Sequence, residues 1–288
     1  MMTENRESRD GFWNRGGWWK AVLVTVAYLA IYLGVSQLVG LTLGHLIEDG
    51  GPLASVTNVA ILLLLPIGVG AVVIVAFLTA IGWIKPVFSR QPVAGRPWMW
   101  IAVAVVAYPI VLRLIGIDYG SFPDGVVVVT LITGLFIGIA EELVTRGAGV
   151  TLLRKCGYSE LLVAVLSSTL FALMHLINAI GSGFSLTILV LLVYTFFFGI
   201  CMYLVMRVTG SIVWAIVMHG LTDPTLFLST GGIDTAVEGA QNVWLTIAGT
   251  GNWAVIIFGI VALFLIRGRV GEKSSAVGPV EGSAASAR

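Results

Sequence analysis

Eight apolar segments, at about 21–44, 57–84, 98–116, 125–144, 160–180, 185–206, 211–223 and 243–266, constrain what this chain can fold into. Most reach the ~20 residues that a helix needs to cross a bilayer core. Backbone groups in hydrocarbon must be satisfied within their own segment, so each stretch is read as a helix. The seventh is short, and the residue before Pro224 is biased away from helix, so that segment is expected to end within the bilayer or to kink. Only 11% of the 288 residues are charged, against about 25% in soluble domains. The expected fold class is therefore all-α, a polytopic membrane protein of about eight transmembrane helices, with no second soluble domain and no internal repeat.

The distribution of basic residues sets the expected orientation. With the N-terminus inside, the inner loops hold Arg6, Arg9, Arg15, Lys20, Lys85, Arg90, Arg96, Arg154, Lys155, Arg207, Arg267, Arg269 and Lys273. The outer loops hold Glu48, Asp49, Asp118, Asp124, Asp234 and Glu238. Both termini are then cytoplasmic, and the expected location is the bacterial plasma membrane. Arg113 breaks the pattern near the outer end of the third span, where it is expected to snorkel or to pair with Asp118. Trp13, Trp18, Trp19 and Lys20 read as an interface anchor after a polar arm, residues 1–17, and no signal-peptide cleavage pattern follows. The tail, residues 270–288, has the small, polar composition of a disordered segment. The net charge of +1 carries no nucleic-acid footprint, and Cys156 and Cys201 do not suggest a disulfide framework or a Cys-type metal site.

Apart from Arg113, the ionisable groups that cannot be pushed into loops are Glu141, Glu142, Arg146, His175, His219 and Asp223, all in spans four, five and seven. A charge in hydrocarbon costs roughly 2.5–3.5 kcal/mol on insertion scales, so such residues are usually paired and functional. Taken singly, each has an ordinary explanation: Glu142 and Arg146 as an i,i+4 pair, His175 as a core histidine, His219 and Asp223 as a helix-end hydrogen bond. Their concentration argues against six independent accidents. Spans four and five form a hairpin turning near Gly157, which sets Glu141 and His175 at the same depth within roughly 3 Å. His219 lies about 13 Å from its own turn at Gly210, a comparable level. Gly134 and Gly138 offer a small-residue face for close helix approach. Ser168, Phe171, His175 and Asn178 form one stripe of span five.

Carboxylates and imidazoles held in a dry cavity suit water activation, with a carboxylate as general base and a histidine sharing the water. A second histidine with Asp223, or a protonated partner, can serve the oxyanion of a tetrahedral intermediate. No serine or cysteine has the neighbours of an activated nucleophile, and neither histidine forms an HExxH motif. Hydrolysis of a peptide bond is the expected chemistry. The cofactor expectation is none or one divalent metal such as zinc, for which Glu141, His175 and His219 would be the ligands.

EELVTRG at 141–147, FALMH at 171–175 and HGLTD at 219–223 together resemble the CAAX-protease and bacteriocin-processing (CPBP, or Abi) family of intramembrane proteases. That family carries EExxxR, FxxxH and HxxxN/D in this order. The resemblance implies a catalytic core from spans four to seven, at 121–228, flanked by N-terminal helices at 18–120 and a loop and last helix at 229–269. It implies that Glu141 activates water with His175 as partner, and that His219 and Asp223 hold the oxyanion or complete the cluster. Glu142 and Arg146 would orient the site, and Phe171 would pack. The implied substrate is a membrane-embedded or lipidated protein or peptide, with the lipid bilayer as the other partner and no nucleic acid. Asp223 stands where asparagine is common, and an ionised aspartate cannot donate, so it is either protonated or orients His219. Val144 and Thr145 replace the bulkier residues usual there. A non-catalytic immunity or scaffold protein that retains the polar cluster is the alternative.

Overall fold

The computed structural model describes residues 11–179, 183–231 and 242–271. Among them are eight helices long and apolar enough to cross a membrane, and the protein is an all-α polytopic membrane protein. They are α1 (Trp18–Leu43), α2 (Val56–Ala80), α3 (Trp100–Gly116), α4 (Val126–Lys155), α5 (Glu160–Met174), α6 (Leu186–Thr209), α7 (Ile212–Thr230) and α8 (Val243–Leu265). Of the expected arm, loop and tail, residues 1–10, 232–241 and 272–288 lie outside the described residues.

Side chains that answer the free N–H groups of a first turn mark several starts. Ser55, Ser159, Ser185, Ser211 and Asn242 each accept from a backbone N–H two or three residues on. At the turn between α6 and α7, Gly210 takes φ 76°, a left-handed conformation that favours glycine, and Ser211 caps the next helix directly.

Three expectations need correction. The fourth span runs beyond its expected bound at about 144: residues Leu143–Gly149 continue as a π-helix and Val150–Lys155 as an α-helix. Paired charges after an apolar run suggest a terminus, but Glu142 and Arg146 pair at 3.0 Å inside the bundle and do not stop the helix. The seventh span does not end at Asp223; it runs through Pro224 to Thr230. A proline frees the carbonyl four residues earlier, here Gly220. That carbonyl and the Pro224 ring lie against Gly134, where a methyl group would be 2.4 Å from either. Arg113 does not snorkel: it is 3% exposed. It continues the buried face of Ala102, Val106, Pro109 and Ile110 at helical spacing. Asp118 accepts instead from the Gly120 N–H.

The α4–α7 contact places the site. A methyl group on Gly138 would sit 2.3 Å from the Ile216 carbonyl oxygen, and one on Gly220 would sit 3.0 Å from that of Gly134. Close backbone approach of this kind is what drives helix association where lipid supplies no hydrophobic force. At the basic end, Arg154 grips buried Glu160 through two bonds of 2.9 and 2.7 Å, and the Tyr203 hydroxyl donates to the same carboxylate. Arg207 donates to the Ala94 and Arg267 carbonyls, tying the loop before α3 and the end of α8 to that anchor.

Candidate active site

The helix α4 supplies Glu141, Glu142 and Arg146 at the junction of its α- and π-helical parts. π-Helical turns inside α-helices are rare and are frequent at functional sites. Glu142 is completely buried, and its Oε1 accepts from Arg146 Nη1 at 3.0 Å and from His219 Nδ1 at 2.9 Å. Arg146 also donates to the Gly199 carbonyl at 2.9 Å and to Thr145 Oγ1 at 2.7 Å, and it stacks 4.6 Å over the Phe171 ring. A methyl group on Gly199 would fall 2.9 Å from that guanidinium, so the glycine makes room for it on α6. The Thr145 hydroxyl donates in turn to the Glu141 carbonyl at 2.6 Å. Arg146 is thus a fixed strut joining α4, α5 and α6.

Two aromatic edges clamp His219 on α7: Phe171 at 5.4 Å and Phe198 at 5.2 Å between ring centres. With Nδ1 on Glu142, its Nε2 points between Asp223 Oδ2 at 3.6 Å and Glu141 Oε2 at 3.9 Å. His175 Nδ1 lies 3.0 Å from the Phe171 carbonyl oxygen. A carbonyl only accepts, so Nδ1 carries the hydrogen and the neutral ring presents a lone pair at Nε2. The α-helical part of the fifth span ends at Met174, and His175–Ala179 form a 3-10 helix. Residues three apart eclipse in such a helix, which brings Asn178 over His175. The expected stripe therefore divides: Ser168 and Phe171 are buried in the bundle, while His175 and Asn178 line a cavity.

That cavity, of about 180 Å³, has Glu141, His175 and Asp223 on its wall. Glu142, Arg146, Phe171 and His219 form a buried layer behind it, with His219 1% exposed. All the site residues expected from sequence are thus in one cluster, in two layers. The cavity also draws on α1 and α2, through Tyr28, Tyr32, Leu63 and Ile67, and on Tyr194 of α6. Sequence reasoning missed these. Tyr28 and Tyr32, with Ser36, make an i, i+4, i+8 polar stripe on an apolar helix, and that pattern is the signal that could have found them.

For a metal, the geometry is open rather than assembled. Among the described residues no three His, Cys, Asp or Glu side chains are grouped as a set of ligands. Glu141 Oε2 and His219 Nε2 stand 3.9 Å apart, wider than the about 3.3 Å expected for two ligands at ~2.0 Å on a tetrahedral ion. Cys156 and Cys201 are free thiols.

Fold and site together define a class: a multi-pass α-helical membrane protein that converges acidic and imidazole side chains from three spans on an internal cavity. Residues 123–225 match the family model described as type II CAAX prenyl endopeptidase Rce1-like, so the chain carries a domain of that kind, as its motifs implied. The matched stretch begins ahead of α4, ends within α7 and contains Glu141, Glu142, Arg146, Phe171, His175, His219 and Asp223. Over that stretch the chain is similar to CAAX-type prenyl endopeptidases. No curated protein and no solved structure matches it.

Proposed function

We propose that this protein hydrolyses a peptide bond in a membrane-embedded or lipidated protein or peptide, using a water held between Glu141 and His175. The observation that carries this reading is that the two side chains line one cavity inside the bundle, together with Asp223. Glu141 takes a proton from the water as its oxygen attacks the carbonyl carbon, and the carbonyl π pair moves onto oxygen. When the C–N bond breaks, the carbonyl re-forms and Glu141 returns the proton to the leaving nitrogen. His175 accepts a hydrogen bond from the same water through its Nε2 lone pair and so aims the attacking oxygen. General acid–base assistance of this kind is worth about 10²–10⁴-fold.

Behind the wall, Glu142 fixes the His219 ring through Nδ1, and Arg146 fixes Glu142. His219 Nε2 in turn holds Asp223 and Glu141 on either side. Side chains carry each proton transfer. The basic-loop bias supports an orientation with both termini and the Arg154–Lys155 turn on the cytoplasmic side.

The test is cleavage of a transmembrane reporter peptide by the purified protein in detergent. Glu141→Gln and His175→Ala are expected to abolish cleavage while the variants fold and insert. Wild-type turnover by Glu141→Gln would end the assignment.

A further inference from the structure

Leu23, Ala27 and Ile31 recur at i, i+4 and i+8 along α1, one stripe of that helix. With Val73, Ile74 and Phe77 of α2 they line a second cavity, of about 330 Å³, whose walls carry no charged side chain. Tyr28 is the one lining residue that it shares with the catalytic cavity. The Tyr28 ring rests on Gly70 of α2, where a methyl group would lie 2.9 Å from Cε2, and so partitions the two spaces. Leu23 and Ile31 are 45% and 37% exposed, so this second cavity is a slot that opens sideways toward lipid.

Trp13 closes the slot at the basic end of the molecule, its ring meeting Phe77 edge-on at 5.0 Å. Cations flank that tryptophan on both sides. Lys20 Nζ donates to the Phe12 carbonyl. Lys155 Nζ donates to Asn14 Oδ1 at 3.4 Å, and Trp83 Nε1 donates to the same oxygen at 3.0 Å. Arg15 follows, and both it and Lys155 are exposed. Across residues 11–20, 82–98 and 151–160 the one acid is Glu160, which is buried and held by Arg154.

We propose that the slot and its basic rim bind an anionic phospholipid, with one acyl chain between α1 and α2 and the phosphate on Arg15 and Lys155. The dimensions suit a chain: Leu23 to Ile31 is about 12 Å of helix, close to the ~15 Å that one leaflet contributes to the hydrocarbon core. Charge alone would draw any acidic surface to this end. The apolar slot directly beneath the rim selects a molecule that carries a hydrocarbon chain below its phosphate. A zwitterionic lipid can fill the slot as well, but it leaves the net positive charge of the rim unanswered. Lysine has three N–H donors, so Lys155 keeps two for phosphate oxygens while it holds Asn14.

The experiment uses the full chain in detergent, titrated with dioleoyl phosphatidylglycerol or with dioleoyl phosphatidylcholine. Bound lipid is counted by native mass spectrometry, and the unfolding midpoint is followed in parallel, since a ligand of the folded state raises it. Phosphatidylglycerol is expected to bind one to one, tighter than phosphatidylcholine by about fivefold for each cation engaged. Arg15→Gln with Lys155→Gln should erase that preference and leave phosphatidylcholine binding as it was. Ala27→Trp fills the slot from an exposed position and should weaken both lipids by about tenfold or more at an unchanged lipid-free midpoint. Should tryptophan lower that midpoint, Ala27→Leu adds less bulk, and a smaller loss in the same direction is expected. Equal affinity of the wild type for the two lipids would overturn the role of the rim. Undiminished phosphatidylglycerol binding in both Ala27 variants would overturn the slot as its seat. If Ala27→Trp keeps phosphatidylglycerol but slows cleavage of a lipidated reporter alone, the slot belongs to the substrate's chain and the proposal fails.

Discussion

Glu142 and His219, 77 positions apart in the chain, are joined by a 2.9 Å hydrogen bond from Nδ1 to Oε1, and neither faces the cavity. The adjacent pair Glu141–Glu142 is therefore split between two tasks. One carboxylate reaches the cavity; its neighbour holds together an imidazole and a guanidinium. Adjacent residues on a helix point about 100° apart, so the division follows from helical geometry.

Glu142→Ala should be the most destabilising single change in the site. It strands Arg146 and His219, and removing one partner of a buried ion pair costs about 3–5 kcal/mol. The unfolding midpoint in detergent should fall and cleavage should be lost with it. Glu141→Gln, by contrast, should abolish cleavage at a nearly unchanged midpoint. If the two variants unfold alike, the two-layer division is wrong.

The two nitrogens of His219 can be separated by substitution. An asparagine amide reaches roughly where Nδ1 stands, and a glutamine amide roughly where Nε2 stands. His219→Asn should therefore retain the bond to Glu142 and unfold nearer to wild type than His219→Gln. Cleavage should fall in both, since Asn loses the hold on Asp223 and Glu141, and Gln loses the fixed orientation. A higher midpoint for His219→Gln than for His219→Asn would contradict the assigned hydrogen bond.

What can be read from the chain, and what cannot, follows from the range over which each signal acts. Hydropathy is summed over some twenty residues, so the eight spans are visible in it. Glu141, His175, His219 and Asp223 stand out because ionisable groups are expensive in hydrocarbon. Whether Pro224 or Glu142 ends a helix is a local question with a tertiary answer. Gly134 accommodates the carbonyl that Pro224 frees, and His219 and Arg146 neutralise Glu142. Tyr28 gives no comparable signal, because a tyrosine in an apolar helix is an ordinary amphipathic residue until its neighbours are known. For Arg113, depth alone suggests snorkelling, but the helical phase it shares with Val106 and Pro109 turns it inward.

Water activation by side chains alone has a direct check. Dialysis against a strong chelator, followed by elemental analysis, should leave the cleavage rate unchanged. The separation of 3.9 Å between Glu141 Oε2 and His219 Nε2 is the basis for this expectation. Loss of activity that a stoichiometric divalent ion restores would show that those groups close upon a metal and would transfer water activation to it.

The cluster also depends on the close approach of α4 and α7. A methyl group at Gly138 would meet the Ile216 carbonyl oxygen at 2.3 Å, and backbone cannot yield as a flexible side chain can. Gly138→Ala should therefore push α7 away from α4, widen the Glu142–His219 bond and reduce both stability and cleavage. Overpacking costs typically about 1–3 kcal/mol, and here it acts on the helix pair that sets the position of His219. Gly34→Ala in α1 is the control, because a methyl group there meets nothing within 4 Å. It should fold and cleave like wild type. Equal behaviour of the two variants would mean that the α4–α7 approach can loosen without disturbing the site.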